Sequence, residues 1–231
     1  MHRTNYASHF RTALLPLTLA AGAMGAPLAS QAAAIGGVTI ESVSSEWSGA
    51  PDLRAVNVVN GGGLSSALDP PAHSAVYAAG YHWETMPYQS SASITFDLEG
   101  AYDVGSFRVW NFNLTVYSTG DYTGRGMKDL EILTSADNST WTSRGMFQFA
   151  PADGTETYAG QLFENLDWDG VRYVWLKDAS YWGYGDAAGH IGLSEVRFYE
   201  ASAAPVATPA PGALVLLASS LAGLVGVGRR A

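Results

Sequence analysis

Short segments in which apolar and polar residues alternate fill the middle of the chain and predict β-strands. In residues 128–134, for example, Leu130 and Ile132 fall on one face and charged residues on the other. Segments of this kind, separated by turns rich in Gly, Asp and Asn, are 92–98, 106–112, 128–134, 171–177 and 193–199, with a shorter one resuming at Trp141. No helical periodicity of useful length occurs between Val38 and Glu200. Strands without intervening helices indicate an antiparallel β-sandwich.

The first 34 residues have the order of features that a secretory signal peptide needs. Arg3 and Arg11 precede an apolar run from Thr12 to Met24, and small residues at 32–34 offer a cleavage site. The apolar run is too short for a comfortable membrane span. We therefore expect residues 1–34 to be a cleaved signal helix, with a buried core helix as the alternative.

Residues 204–231 form a second segment of unusual composition. An Ala- and Pro-rich linker leads to an apolar run at 212–228, followed by Arg229 and Arg230. At 1.5 Å per residue this helix would be about 25 Å long, close to the lower limit for crossing a bilayer. The segment resembles a PEP-CTERM sorting tail, with Pro209–Pro211 as the Pro-x-Pro element and Ala in place of the usual Glu.

The resemblance of the tail implies cutting by an exosortase, a membrane transpeptidase of Gram-negative bacteria that produce exopolysaccharide. The protein would then contact the membrane only transiently, through the C-terminal apolar helix. The expected location is the bacterial cell surface or the extracellular matrix. A plain C-terminal membrane anchor is the alternative.

Residues 35–203 have the size of one domain and an acidic composition. They contain all 21 acidic residues of the chain but only 8 of its 12 basic residues, which gives a formal charge of −13. Such a surface repels nucleic acid and offers oxygen ligands to hard cations. The chain has no cysteine, so packing must hold the domain together, and all seven tryptophans lie in it.

Five sequence pieces occur in an order that resembles the coagulation factor 5/8 type C, or discoidin-like, domain. Besides an early loop tryptophan, Trp83, they are VVNGGGL (58–64), ITFDLEGAYDVGSFRVWNFN (94–113), KDLEILTSADNSTWT (128–142), VRYVWLKD (171–178) and HIGLSEVRFYE (190–200). The resemblance implies an all-β fold, the antiparallel galactose-binding-like jelly roll. Family 32 carbohydrate-binding modules share this fold.

The same resemblance implies a structural calcium ion. The matching positions are Asn60 and Gly63 in the Gly-rich loop and Glu195 near the start of the last strand. Calcium takes 6 to 8 oxygen ligands, and glycines allow backbone carbonyls to converge on it. Asn60 is uncharged where many relatives have Asp. The alternative is that Asn60 belongs to an ordinary turn and that Glu195 faces solvent near Arg197.

Aromatic residues in two predicted loops are candidates for sugar binding, because apolar faces of sugars stack on aromatic rings while polar groups bond the hydroxyls. The candidate residues are Tyr181, Trp182 and Tyr184 in one loop, His82 and Trp83 beside Tyr81 in another, and Asn113 after a strand. The alternative is that these rings pin the loops to the core. Trp175, within a predicted strand, is expected in the core.

Sequence motifs of catalysis are missing: there is no G-x-S-x-G, no H-E-x-x-H and no Cys. Asp167 and Asp169 could form a carboxylate pair but precede a strand, where a turn is the simpler interpretation. We expect a non-catalytic, exported binding module for carbohydrate or exopolysaccharide. A structural matrix protein without a specific ligand is the alternative, and a hydrolase would need a catalytic site that the sequence lacks.

Overall fold

The computed structural model describes residues 32–49, 52–65, 70–116, 120–184 and 188–202, and the regular secondary structure within them is almost entirely β-strand. Two short 3₁₀ helices occur, at Ala55–Val59 and Thr123–Arg125. The strands are β1 (Thr39–Val43), β2 (Trp83–Glu84), β3 (Ala92–Asn111), β4 (Thr115–Val116), β5 (Gly120–Asp121), β6 (Asp129–Ser135), β7 (Thr142–Gln148), β8 (Gln161–Phe163), β9 (Trp168–Ala179) and β10 (Gly192–Glu200). The expected signal peptide (1–34) and sorting tail (204–231) lie almost wholly outside the described residues.

All pairings between these strands are antiparallel, and the strand order is β2-β10-β3-β9-β6-β7, with β1 and β8 also paired to β3. The first part of β3 pairs with β1 and β9, and its second part pairs with β10 and β8. One long strand therefore passes from one layer of the sandwich to the other. The antiparallel β-sandwich expected from the sequence is confirmed.

Two strands predicted as separate, 92–98 and 106–112, belong to this single strand β3. The expected turn at Glu99 is a distortion within the strand, since Glu99 has a positive φ of 60° and the register with β9 shifts after Asp97. Asp97 Oδ1 accepts a hydrogen bond from the Glu99 backbone N–H at 2.8 Å, which holds the distortion. The sequence pattern therefore predicted the position of the irregularity correctly, but it predicted a turn between two strands where the structure has a distortion within one strand.

The core lies between the two layers and is rich in aromatic rings. Phe107 stacks on Phe163 with ring centroids 4.7 Å apart and also stacks on Trp168 at 5.7 Å. Leu130 and Ile132 are fully buried, as the alternation in β6 predicted. Burial of apolar area on this scale accounts for the stability of a domain without disulfides.

Trp175 is not in the core, contrary to the expectation from its strand. Its neighbours Val174 and Leu176 are both fully buried, so the period of two places Trp175 on the outer face of the sheet. There its ring meets that of Trp141 edge to face, with centroids 5.4 Å apart. No helix among the described residues is long and apolar enough to cross a membrane.

Candidate ligand-binding site

The three aromatic residues of the loop after β9 have three different environments. Tyr181 packs against the core. Trp182 is half-buried, and its indole N–H donates to the carbonyl of Phe149 at 3.2 Å. Tyr184 is 43 % exposed. Of these three candidates, Tyr184 is the most exposed and therefore the most accessible to a ligand.

His82 and Trp83, the candidates from the second loop, lie in the interior with no exposed surface. Trp83 donates from Nε1 to the carbonyl of Ser45 at 3.0 Å. The His82 ring bonds Ser194 Oγ at 2.9 Å and the Val76 carbonyl at 3.1 Å, and burial lowers its pKa to about 3. The structure therefore corrects the expectation for both residues, since neither ring offers a face to a ligand.

Asn113 is also fully buried, and protein groups satisfy its amide. Nδ2 donates to the carbonyls of His73 and Thr155 at 2.8 and 2.9 Å, and Oδ1 accepts from the Gly154 N–H at 3.0 Å. The side chain joins three segments of one end of the sandwich. In this arrangement Asn113 supports the loops rather than a ligand, which corrects the expectation for it.

An ion pair at this end of the sandwich was not expected from the sequence. Arg125 Nη1 donates to Glu84 Oε2 at 2.6 Å, with side chains only 13 % and 5 % exposed. The Arg125 guanidinium also lies over the Tyr122 ring, 4.3 Å from its centroid. Both contacts fix the orientation of the guanidinium.

The loop that carries Tyr184 packs directly onto the loop that carries Arg125. The Gly183 N–H donates to the Gly124 carbonyl at 2.9 Å, and the Tyr184 hydroxyl lies 3.2 Å from Thr123 Oγ1. A Cβ at Gly124 would overlap the Tyr184 carbonyl, so only glycine permits this close approach. Tyr184 is therefore held beside the ion pair.

Tyr77 completes the group, which we call the end cluster: Tyr77, Glu84, Tyr122, Arg125 and Tyr184. The pKa of Tyr77 is raised, mainly by desolvation and then by the nearby charge of Glu84, while Arg125 acts in the opposite direction. Tyr77 is 43 % exposed. Two exposed tyrosines thus belong to the same part of the surface as a charged pair whose net charge is zero.

Exposed apolar side chains are concentrated in the same segments. Among the described residues, five of the eight large apolar side chains classed as exposed fall in residues 76–88 or at position 184: Val76, Tyr77, Met86, Tyr88 and Tyr184. Concentrated apolar exposure of this kind marks interaction surfaces. The sequence missed Glu84 and Arg125 because their partnership joins residues 41 positions apart.

The Gly-rich loop and Glu195, the candidate calcium ligands, are close together as the resemblance implied. Glu195 is 1 % exposed, and its Oε2 accepts from the Gly61 N–H at 3.2 Å. Its Oε1 lies 3.5 Å from Arg197 Nε. Burial raises the pKa of Glu195 to about 8, although Arg197 and the Gly61 N–H act to lower it.

The donor set of this loop does not fit a calcium ion as arranged. Asn60 Oδ1 accepts from the Gly62 N–H, and the Asn60 amide nitrogen donates to the Gly80 carbonyl. The Glu195 carboxyl faces an N–H and a guanidinium rather than carbonyl oxygens, and Gly63 lies against the His73 ring. Calcium binding through Asn60, Gly63 and Glu195 stays a prediction, and it requires Arg197 to move away from Glu195.

Groups suited to catalysis are not brought together in the described part of the chain. No group of three or more His, Cys, Asp or Glu side chains there could hold a metal ion. Asp167 and Asp169 are exposed on either side of the buried Trp168 at the start of β9.

No protein-family model and no curated protein matches the chain. Solved structures do resemble it. A fragment assigned as a chitobiase from Bacteroides thetaiotaomicron superposes with a TM-score of 0.53 at 13 % identity, covering 77 % of this chain and 96 % of that one. The C-terminal domain of a chitobiase from Bacteroides fragilis gives a TM-score of 0.47 at 13 % identity, covering 75 % and 99 %.

A third similar structure is the family 32 carbohydrate-binding module of NanJ from Clostridium perfringens, in complex with galactose. Its TM-score is 0.45 at 14 % identity, covering 71 % of this chain and 93 % of that one. At such sequence identities the likeness concerns the fold alone. The Bacteroides thetaiotaomicron fragment has the highest TM-score of the three structures. The chain has the galactose-binding-like β-sandwich fold.

Proposed function

We propose that the protein is a carbohydrate-binding module that holds a neutral sugar at the end cluster. The observation that carries this proposal is that the Arg125–Glu84 pair lies among loops that also carry the exposed tyrosines Tyr77 and Tyr184. Exposed rings and fixed polar groups side by side are what a sugar requires, because its C–H faces are apolar and its edges carry hydroxyls. The fold is compatible with this function, but one fold can serve many functions, so the proposal rests on the residues of the end cluster.

Each part of the end cluster has a role in this proposal. A sugar ring stacks on Tyr184, while hydroxyls at its edge accept from the Arg125 guanidinium and donate to Glu84. The pairing of Arg125 with Glu84 leaves no net charge to attract an anion, and the acidic domain around it repels one. A neutral ligand is therefore the best match.

A glycan array probed with the full-length protein tests the proposal, followed by calorimetric titration of the sugars that bind. Tyr184→Ala should weaken binding by about 1 to 3 kcal/mol, as loss of one stacking ring does in nucleic-acid complexes. Because Tyr184 is an exposed loop residue, stability should fall by less than about 1 kcal/mol.

Tyr173→Ala is the matched control, since this half-buried tyrosine lies on β9, in the sheet away from the end cluster. It should bind sugar like the wild type. An array without any bound glycan, or equal affinities for Tyr184→Ala and Tyr173→Ala, would exclude the end cluster as the site.

We further propose that the module is exported, non-catalytic and sorted to the cell surface, on the basis of the N- and C-terminal sequence features. Intact-mass measurement of protein from the native host should show a start near Ile35 and loss of the run after Pro211. A full-length species in the envelope fraction contradicts the sorting. Hydrolysis of a bound glycan during prolonged incubation contradicts the non-catalytic role.

A further inference from the structure

Two tryptophans share the outer face of the sheet, away from the end cluster. Trp175 is paired across the sheet with Thr95 of β3 and Leu133 of β6. Trp141, just before β7, meets it edge to face with ring centroids 5.4 Å apart. Both rings are half-buried, so each retains surface that solvent can reach.

Neither of these two indole N–H groups donates a hydrogen bond to any residue in the described part of the chain. Trp83, Trp110 and Trp182 each donate from Nε1 to a backbone carbonyl, as buried structural tryptophans do. Trp141 and Trp175 have no such partner among the described residues, and their ring nitrogens are not buried. Their donors are therefore left for solvent or a ligand.

The rings border a groove of about 380 Å³ whose other walls are uncharged and mostly polar. Ser42, Ser93, Thr95 and Asn138 line it together with the two tryptophans. Lys177 Nζ lies 5.6 Å from the Trp175 centroid, but Glu131 holds it at 3.3 Å. In a domain with a formal charge of −13, a neutral groove selects a neutral ligand.

The loop that presents Asn138 and Trp141 is held in one conformation. Asp137 Oδ1 accepts from the backbone N–H groups of Ser139 and Thr140 at 2.9 and 2.8 Å. Asn138 Nδ2 donates to Glu41 Oε1 on β1 at 2.8 Å. A groove fixed in this way loses little conformational entropy when a ligand enters it.

We propose that this groove is a second carbohydrate subsite, which takes one ring of a neutral polysaccharide on Trp141 and Trp175. The sugar face stacks on the indoles, and its hydroxyls accept from the indole N–H groups and bond the serine and threonine hydroxyls. The subsite rests on its own residues and does not depend on the end cluster. Two subsites on one module allow it to cross-link polysaccharide chains.

Affinity electrophoresis of the full-length protein tests the proposal in native gels that contain galactan, β-glucan or the anionic polygalacturonate. At least one neutral polysaccharide should retard the protein and change its tryptophan fluorescence, and polygalacturonate should not. Trp175→Ala and Trp141→Ala should each weaken that binding roughly tenfold. Trp175→Phe, which keeps a ring but lacks the N–H, should bind between wild type and Trp175→Ala.

Tyr173→Ala is the control, because Tyr173 lies two residues from Trp175 on the same face but does not line the groove. It should bind like the wild type, and melting curves of all variants separate loss of binding from loss of folding.

If Tyr184→Ala abolishes retardation and Trp175→Ala does not, the groove is rejected as a binding site and the end cluster is supported. The reverse result supports the groove and overturns the end cluster. A wild type that no neutral polysaccharide retards, or a fluorescence unchanged on binding, overturns the groove.

Discussion

Arg125 Nη1 lies 2.6 Å from Glu84 Oε2, and the two side chains are almost buried, at 13 % and 5 % exposure. A charge left alone in such a place is costly, because it has lost both water and its partner. Arg125→Ala should therefore destabilise the protein by about 3 kcal/mol, which corresponds to roughly 6 to 12 °C in melting temperature for a domain of this size. Thermal unfolding followed by circular dichroism measures the change.

The exposed pair Arg54–Asp52 supplies the control for Arg125→Ala. Its side chains are 57 % and 36 % exposed, so Arg54→Ala should cost less than about 1 kcal/mol. The double variant Arg125→Ala, Glu84→Gln should recover part of the loss, because no uncompensated carboxylate remains. Equal effects of the two Arg→Ala variants would show that the Arg125 pair is not buried in solution.

Trp182→Ala should lower stability more than Tyr184→Ala, although the two residues share one loop. Trp182 donates to the buried Phe149 carbonyl at 3.2 Å, and Lys128 Nζ lies 5.0 Å from its ring centroid. Truncation loses this packing and leaves the carbonyl unpaired, for a total of about 2 kcal/mol. The melting temperatures of Trp182→Ala, Tyr184→Ala and Trp182→Phe measure the difference, and the Phe variant keeps an aromatic ring but loses the hydrogen bond and part of the packing.

Trp182 would instead be part of the sugar platform if Trp182→Ala kept its melting temperature and lost affinity. The loop sequence alone could not separate these roles, because anchoring and recognition use the same residue types. The difference lies in the partner of the indole N–H, which comes from a residue 33 positions away.

The strands and most of the core were predictable because they depend on local alternation. Leu130 and Ile132 face inward as the period of two requires. The same period of two places Trp175 on the face of β9 opposite to the buried Val174 and Leu176. The expectation that Trp175 lies in the core followed only from its hydrophobicity and was wrong. The end cluster was not predictable, because residues 77, 84, 122, 125 and 184 meet only when three loops fold onto one another.

Glu195→Gln should change how stability depends on pH. The folded protein keeps a proton on Glu195 up to pH about 8, whereas an ordinary glutamate loses it at 4.5. Between these values the folded state binds one proton more than the unfolded chain, so rising pH lowers stability by up to about 1.4 kcal/mol per pH unit. The wild type should lose melting temperature between pH 6.5 and 8, and Glu195→Gln should lose less.

This window avoids most of the opposite effect of His82 and of His73, whose pKa values burial lowers. The pKa of His82 is lowered to about 3 in the folded state, so its contribution to stability is present above its ordinary value of 6.5 and is lost as pH falls below that. Chelator in all buffers excludes bound cations. Parallel melting-temperature curves for wild type and Glu195→Gln between pH 6.5 and 8 would show that Glu195 is ionised in the folded protein.

Calcium should stabilise Arg197→Gln more than the wild type. Arg197 Nε lies 3.5 Å from Glu195 Oε1, and its guanidinium would lie 3.5 Å from a Cβ at Gly61, so it occupies the side of the loop that a cation must approach. Replacing Arg197 removes this competitor, and because Arg197 also lowers the pKa of Glu195, calcium must then displace a proton from that carboxyl as it binds. A ligand that binds only the folded state adds about 2.7 kcal/mol at a hundredfold excess over its Kd.

Melting temperatures at pH 8, with calcium or with chelator, measure the effect for wild type, Arg197→Gln and the double variant with Glu195→Gln. Loss of the calcium response in the double variant assigns the ion to Glu195, because glutamine keeps the shape of the side chain but removes its charge. An Asn60→Asp variant should raise the response further, since it adds a charged oxygen ligand to the same loop. If calcium shifts none of these melting temperatures, the Gly-rich loop is a structural turn, and its contacts with Glu195 serve the fold alone.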